Sequence, residues 1–380
     1  MVSTPMDLDE PASAAAPSLN IRRTLGGNGP NTTLINDIIS SFRPTKLFQR
    51  DDIKDGKPQP HILSIDFDNP GELCMTSESD ETIQIYNVKE GQHSKTLLSK
   101  KYGVKLAKFS HTSSGIIYAS TKQNHAIRYL ATHDNTFLRY FEGHEGAVTS
   151  LAMHPGSDNF ISCSLDDTVR LWNINTKQWT AKLFLKTPYL SAWDPSGRVF
   201  AIASPATGSV LIYDWRNYEK APVSVFDVLK SRGPAEAEAA FRGWTTLEFS
   251  NDGKHLLLGS KHNGHFLLDA FDGSLKAYLR KPNGGTRRLA VGETENGTVE
   301  SSGDSCFSPD GRFVLSGSKK DLLVWDTLSP MEETNINKVL DPKFVLEEKR
   351  EAAVVAYNPR YNMIATADQE LMFWLPDPHA

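Results

Sequence analysis

From Lys46 onward the chain alternates apolar and polar positions in short runs, and the same unit returns again and again. Each unit reads as a strand with period two, a Pro/Gly turn, a second strand ending in small or hydroxyl residues, a polar turn, and a third strand closing on a bulky anchor followed by Asp or Asn. The turns punctuate it: Asn69-Pro70-Gly71, His154-Pro155-Gly156, Asp194-Pro195-Ser196-Gly197, Asn251-Asp252-Gly253, Pro309-Asp310-Gly311 and Asn358-Pro359. The anchors fall at Tyr86, Leu130, Trp172, Tyr213, Leu268, Trp325 and Trp374, in steps of 44, 42, 41, 55, 57 and 49 by subtraction. A period of about 40–45 residues is that of a four-stranded propeller blade. The longer steps coincide with two polar inserts, 231–242 and 281–302, which read as structureless loops. Seven units follow, in a domain spanning 44–378.

Upstream the pattern changes. Residues 1–32 hold Pro5, Pro11, a run of Ala and Ser, and Gly26, Gly27 and Gly29, with no apolar period, and read as a disordered extension. Leu34, Ile35, Ile38, Ile39 and Phe42 share one helical face, which predicts a short core-capping helix over 33–43, with Asn31 or Thr33 as cap and Pro44 as stop. The last unit supplies only three strands, so its outer strand must come from elsewhere. Thr45-Lys46-Leu47-Phe48, within about 45–49, is the natural donor, and would close the ring without an open edge.

Composition refines this little. Hydrophobic residues make up 39% and charged residues 23%, as in soluble globular chains, and the net charge of −5 offers no general attraction for nucleic acid. No apolar run approaches the ~20 residues a bilayer needs, so neither membrane nor nucleic-acid binding is expected. The three cysteines, Cys74, Cys163 and Cys306, lie far apart in strand-like runs, which suits buried thiols in a reducing, intracellular compartment.

The unit containing Gly143-His144, Ser162, Asp166 and Trp172-Asn173 resembles the WD-repeat signature, which implies an all-β, seven-bladed β-propeller. A longer resemblance runs from about Leu34 to Pro376. It is carried by Ser41-Phe42-Arg43, Ser99-Lys100-Lys101-Tyr102-Gly103-Val104, Ile127-Arg128-Tyr129-Leu130, His133-Asp134-Asn135, Leu138-Arg139-Tyr140-Phe141-Glu142-Gly143-His144, Phe160-Ile161-Ser162, Phe249-Ser250-Asn251-Asp252-Gly253-Lys254 and Phe373-Trp374-Leu375-Pro376. In these passages the chain is similar to the WD-repeat subunits shared by COMPASS-type histone H3 lysine 4 methyltransferase complexes and RNA 3′-end processing and termination phosphatase complexes. The resemblance implies a nuclear, non-catalytic scaffold without cofactor or metal. Its implied partners are the N-terminal region of a Set-domain methyltransferase, other COMPASS subunits, a 3′-end processing and phosphatase scaffold, and the phosphorylated tail of RNA polymerase II. The N-terminal extension and the 281–302 insert depart from the family pattern.

His144, Ser162 and Asp166 include the residue types of a nucleophilic triad, but neither a nucleophile elbow nor an oxyanion-hole glycine run accompanies them. The resemblance implies instead a buried network with Trp172, its hydroxyl supplied by Ser162 or Ser164. His262 and His265 with Asp269 lack further ligands for a metal and are placed in a hairpin turn. The basic residues Lys100, Lys101, Arg128, Arg139 and Arg170 are candidates for a phosphorylated or acidic peptide, because guanidinium pairs with phosphate bidentately. Arg287-Arg288 and Lys319-Lys320 are further basic pairs. Tyr213-Asp214-Trp215-Arg216 resembles the motif by which WD-repeat receptors dock on cullin-type ubiquitin ligases, which makes Asp214 and Arg216 candidates for an alternative function. The plainer reading of Arg216 is a salt bridge covering the blade edge.

Overall fold

The computed structural model describes residues 35–50, 59–230, 243–289, 300, 303–330, 335, 337–347 and 349–379. The expected extension 1–32, the helix-cap candidates Asn31 and Thr33, the insert 231–242 and most of 290–302 lie outside these residues.

Seven sheets form the ring, each with four antiparallel strands, consecutive in the chain in blades 1 to 5. Blade 1 begins at Ile62, blade 2 at Lys105, blade 3 at Val148, blade 4 at Leu190, blade 5 at Trp244, blade 6 at Ser305 and blade 7 at Val354. All seven sequence anchors lie on the third strand of their blade, counted outward from the centre. Second and third strands are buried on both faces, so they read as continuous apolar runs rather than strict alternation. The core is accordingly divided: seven hydrophobic clusters each occupy one interface between adjacent blades. In the cluster between blades 2 and 3, Trp172 stacks on Phe160 and meets Phe141 edge-on.

Blade 7 takes its outer strand from the other end of the chain. Phe42–Phe48 pairs antiparallel with Leu371–Pro376, Phe42 opposite Pro376 and Phe48 opposite Leu371. The expected donor is therefore found, but it starts earlier than its predicted boundary, and the predicted helix is shorter. The helix covers Ile35–Ser40, and Ser41 turns the chain by bonding back to the Ile38 carbonyl. Phe42 was assigned to the helical face because its spacing fits one. It instead enters the core from the strand, fully buried beside Ile39. Pro44 does not stop the helix. It sits at a bulge on the outer edge strand, where a missing N–H breaks no necessary bond.

Blade 5 carries a fifth strand: Val339–Leu340, from the connection within blade 6, runs parallel to Leu275–Arg280 and covers that edge. The insert after blade 5 departs most from expectation. Its described residues are anchored rather than structureless. Lys281 is buried against Asp304, Arg288 reaches Asp368 and the Ile62 carbonyl, and Glu300 meets Lys105 at 3.4 Å. Beyond blade 5, Arg288 and Glu300 touch blades 7, 1 and 2 on the face where the inner strands begin.

Candidate functional site

The four residues of the best repeat unit come together in blade 3. The Trp172 indole N–H donates to Ser162 Oγ at 2.8 Å, and Ser162 Oγ lies 2.7 Å from His144 Nε2. His144 Nδ1 lies 2.9 Å from Asp166 Oδ2, which also accepts the Glu145 N–H. The other carboxylate oxygen accepts the hydroxyl and N–H of Thr168. With Nδ1–H given to Asp166, Nε2 is the acceptor for the Ser162 hydroxyl, so every donor has one acceptor along the line. Ser162, not Ser164, supplies the hydroxyl; Ser164 bonds the Gly146 carbonyl.

Burial pushes His144 down to about 4, outweighing the pull of Asp166, so the imidazole is neutral and the contact is a hydrogen bond rather than an ion pair. Asp166 is held well below the ordinary carboxylate range. Its partial burial works the other way, and is overcome by bonds from Thr168, Glu145 and His144. The order of contacts is that of a Ser-His-Asp triad, yet Ser162 is wholly buried in mid-strand beneath Trp172 and presents no nucleophile to a substrate.

Register shows which residues repeat the arrangement. Trp172 lies opposite Phe160, two residues before Ser162; Trp374 lies opposite Ile364, two before Thr366; Trp325 lies opposite Val314, two before Ser316. In blade 7 the Trp374 indole donates to Thr366 at 2.9 Å. In blade 6 Ser316 Oγ lies 2.7 Å from His265 Nε2, while Trp325 donates to the Leu340 carbonyl. Thr366 escaped the sequence reading because its turn is shorter, and His265 because it was placed in a turn. It lies within the strand Gly264–Asp269, fully buried, its Nδ1 accepting the Ser260 N–H. Among the described residues, no group of three or more His, Cys, Asp or Glu gathers for a metal.

The basic candidates separate into two kinds. Lys101, Tyr102, Arg128 and Tyr140 gather on blade 2, with the Arg128 guanidinium 3.7 Å above the Tyr102 ring and 5.4 Å from that of Tyr140, and Lys101 Nζ 5.1 Å from the Tyr102 ring. Arg128 itself is buried and bonded to Ser120 and Asn124. Lys100 and Lys101 are exposed beside it. Arg139 instead holds the Ile174 carbonyl, and Arg170 the Gly143 carbonyl at 2.6 Å with Trp179 at 5.3 Å. Gly143, at φ 148°, leaves the space Arg170 fills. Arg139 and Arg170 thus join blades 2 and 3. Of the other pairs, Arg287 is exposed but Arg288 is buried, and Lys319 and Lys320 are exposed in a turn.

Asp214 ends a blade 4 strand and accepts the Arg216 N–H and the Asn217 amide, closing the turn. Trp215 packs on His154 and Trp193. Arg216 is exposed and, among the described residues, makes no ion pair, so the expected edge-covering salt bridge is not formed.

Seven four-stranded blades in a ring, with Trp-hydroxyl bonds in blades 3 and 7 and a signature Gly-His and Trp-Asn in blade 3, define a WD-repeat β-propeller. The WD domain, G-beta repeat family matches residues 135–173 and 293–326. The chain is 34% identical over 359 residues to COMPASS component SWD2 of Saccharomyces cerevisiae, covering 93% of this chain and 99% of that one. It is 34% identical over 345 residues to WD repeat-containing protein 82 of Drosophila melanogaster, covering 90% and 97%. It is 30% identical over 367 residues to Set1 complex component swd2 of Schizosaccharomyces pombe, covering 89% and 98%. The chain belongs to this SWD2 and WD repeat-containing protein 82 family.

Proposed function

We propose that this chain is a non-catalytic scaffold subunit of a Set1-type histone H3 lysine 4 methyltransferase complex, working in the nucleus. The observation that carries it is the end-to-end match to SWD2, covering 99% of that COMPASS component, so the likeness extends to loops and rims as well as repeats. Fold alone would support only an interaction module, since propellers host many functions. A stiff ring with two faces and a rim contributes by tethering, raising the local concentration of one partner near another. In this reading the ring holds the N-terminal region of the Set-domain subunit and other COMPASS subunits. It also serves the scaffold of an RNA 3′-end processing and termination phosphatase complex, and the basic side of blade 2, with Lys100, Lys101 and Arg128, receives the phosphorylated RNA polymerase II tail.

Affinity purification of the tagged full chain from nuclear extract, followed by mass spectrometry, tests this. Set-domain methyltransferase and COMPASS subunits are expected in the eluate, and their absence overturns the proposal. The exposed guanidinium of Arg216 supports a second reading, a receptor of a cullin-type ubiquitin ligase. Recovery of cullin adaptors that is lost in Arg216→Ala would favour it. For the polymerase tail, equal affinity for phosphorylated and unphosphorylated peptides removes that partner.

A further inference from the structure

The innermost strands enclose an axial cavity of about 670 Å³, whose outer end is lined by the turns holding Asn69, Pro155, Pro195, Asn251 and Pro359. On the opposite face Arg288 bonds Asp368 and the Ile62 carbonyl, and Glu300 meets Lys105 of blade 2. The turns at the outer end mark the side of access.

Four ionic side chains line this cavity: Asp66, Asp68, Lys108 and Glu248. Asp68 accepts the Leu73 N–H at 2.9 Å and the Ser113 hydroxyl at 3.1 Å. Asp66 and Lys108 are spent on each other. Lys108 Nζ donates to Asp66 Oδ1 at 2.8 Å, and the second oxygen of Asp66 takes the Phe109 N–H at 2.8 Å. Glu248 is left with a single long contact, the Phe307 N–H at 3.4 Å. Burial pushes its carboxyl up to about 7, outweighing the Phe307 bond and the charge of Lys108. Hydroxyls line the same cavity. Those of Thr149 and Ser305 are buried and without a partner, as is Thr246 Oγ1, two residues before Glu248 on the same strand and hence on the same side of it. An orphaned carboxylate among orphaned hydroxyls is a set of acceptors in search of a donor-rich group. An anion would face three carboxyl groups, with the one ammonium already bound. An apolar plug would leave four polar groups unsatisfied.

We propose that the cavity is a socket for a cationic side chain, the guanidinium or ammonium of an arginine or lysine in a partner protein. The chain enters from the turn face and seats its charge on Glu248, with the Thr246 and Ser305 hydroxyls accepting the remaining N–H bonds. A cavity of this volume holds a long side chain with room for water.

The test is a titration of the full chain, by nuclear magnetic resonance, with N-acetyl-arginine amide and N-acetyl-lysine amide as single cationic side chains. N-acetyl-citrulline amide serves as the neutral isostere of arginine, and putrescine as a free amine. Saturable binding of an amino-acid amide is expected, about tenfold weaker for citrulline and lost in Glu248→Gln at unchanged melting temperature. Thr246→Val, which removes a hydroxyl at nearly constant side-chain volume, supplies a second variant that is expected to fold, with binding weakened several-fold. Binding of putrescine alone would show a polyamine site and overturn the protein-partner assignment. Cation binding that survives Glu248→Gln, or no saturable binding of any probe, overturns the socket itself.

Discussion

Lys281 and Asp304 form an ion pair at 3.0 Å with neither side chain exposed to solvent, one from the insert after blade 5 and the other at the entrance to blade 6. The Thr245 hydroxyl donates to the second carboxylate oxygen at 2.6 Å, so the charge inside the ring is fully bonded. Removing one partner leaves the other buried and alone, a cost of about 3–5 kcal/mol, whereas replacing both by apolar residues of similar size is often close to neutral. Lys281→Met should therefore unfold at markedly lower denaturant concentration, and Lys281→Met with Asp304→Leu should recover much of the loss. A double variant as unstable as the sum of the two singles would show that the pair is not coupled.

The blade 3 network makes a separate prediction. Asp166→Ala orphans the His144 N–H and the Thr168 hydroxyl, at about 1–3 kcal/mol. Trp172→Ala removes a wholly buried indole packed on Phe141 and Phe160 and leaves a cavity, at about 3–5 kcal/mol. Thermal unfolding should rank them in that order, and unchanged melting in both would refute the network.

These two sites mark how far the sequence could be read. Trp172, Ser162, Asp166 and His144 lie within one repeat, where a regular spacing turns residue type into position. The seven anchors were legible for the same reason. Lys281, Arg288 and His265 were not, because their partners belong to other blades: Arg288 and Asp368 stand 80 residues apart, and His265 and Ser316 are 51 apart. No local pattern distinguishes a lysine destined for Asp304 from one left in water. Phe42 failed differently. Its spacing from Ile38 and Ile39 suits a helix, and only pairing with the far end of the chain turns it into a strand.

Ring closure rests on that strand. Phe42 is fully buried, edge-on to Tyr357 at 6.1 Å, in the cluster joining blades 6 and 7. Phe42→Ala should cost about 3–5 kcal/mol and weaken the one outer strand not continuous with its blade. Limited proteolysis should then cut first near residues 42–48 and at the end of blade 7, ahead of any other blade. Wild-type resistance in the variant would mean that the ring stays shut without this contact.

The last prediction concerns pH. A histidine free in an unfolded chain takes up its proton near pH 6.5. His144, held by burial to about 4, does not. Between those values the unfolded state binds the extra proton, so acidification draws the equilibrium toward unfolding, and the contribution of neutral His144 is present above about pH 6.5 and lost as pH falls toward about 4, worth about 3 kcal/mol at most. His265, held by burial to about 3, acts in the same direction. Glu78 and Glu248, raised to about 7 by burial, oppose them, because a carboxyl protonated in the fold gains stability as pH falls from about 7 toward its unfolded value. The net curve is therefore shallow, and the histidine must be isolated by difference. The melting-temperature gap between wild type and His144→Gln should narrow steadily from pH 7 to pH 4.5, since only the wild type loses a neutral imidazole to protonation on unfolding. A gap that stays constant across that range would show that His144 titrates alike in the folded and unfolded states, and a gap that widens would show that it is charged in the fold, so that the donor order from Trp172 through Ser162 to His144 would have to be redrawn.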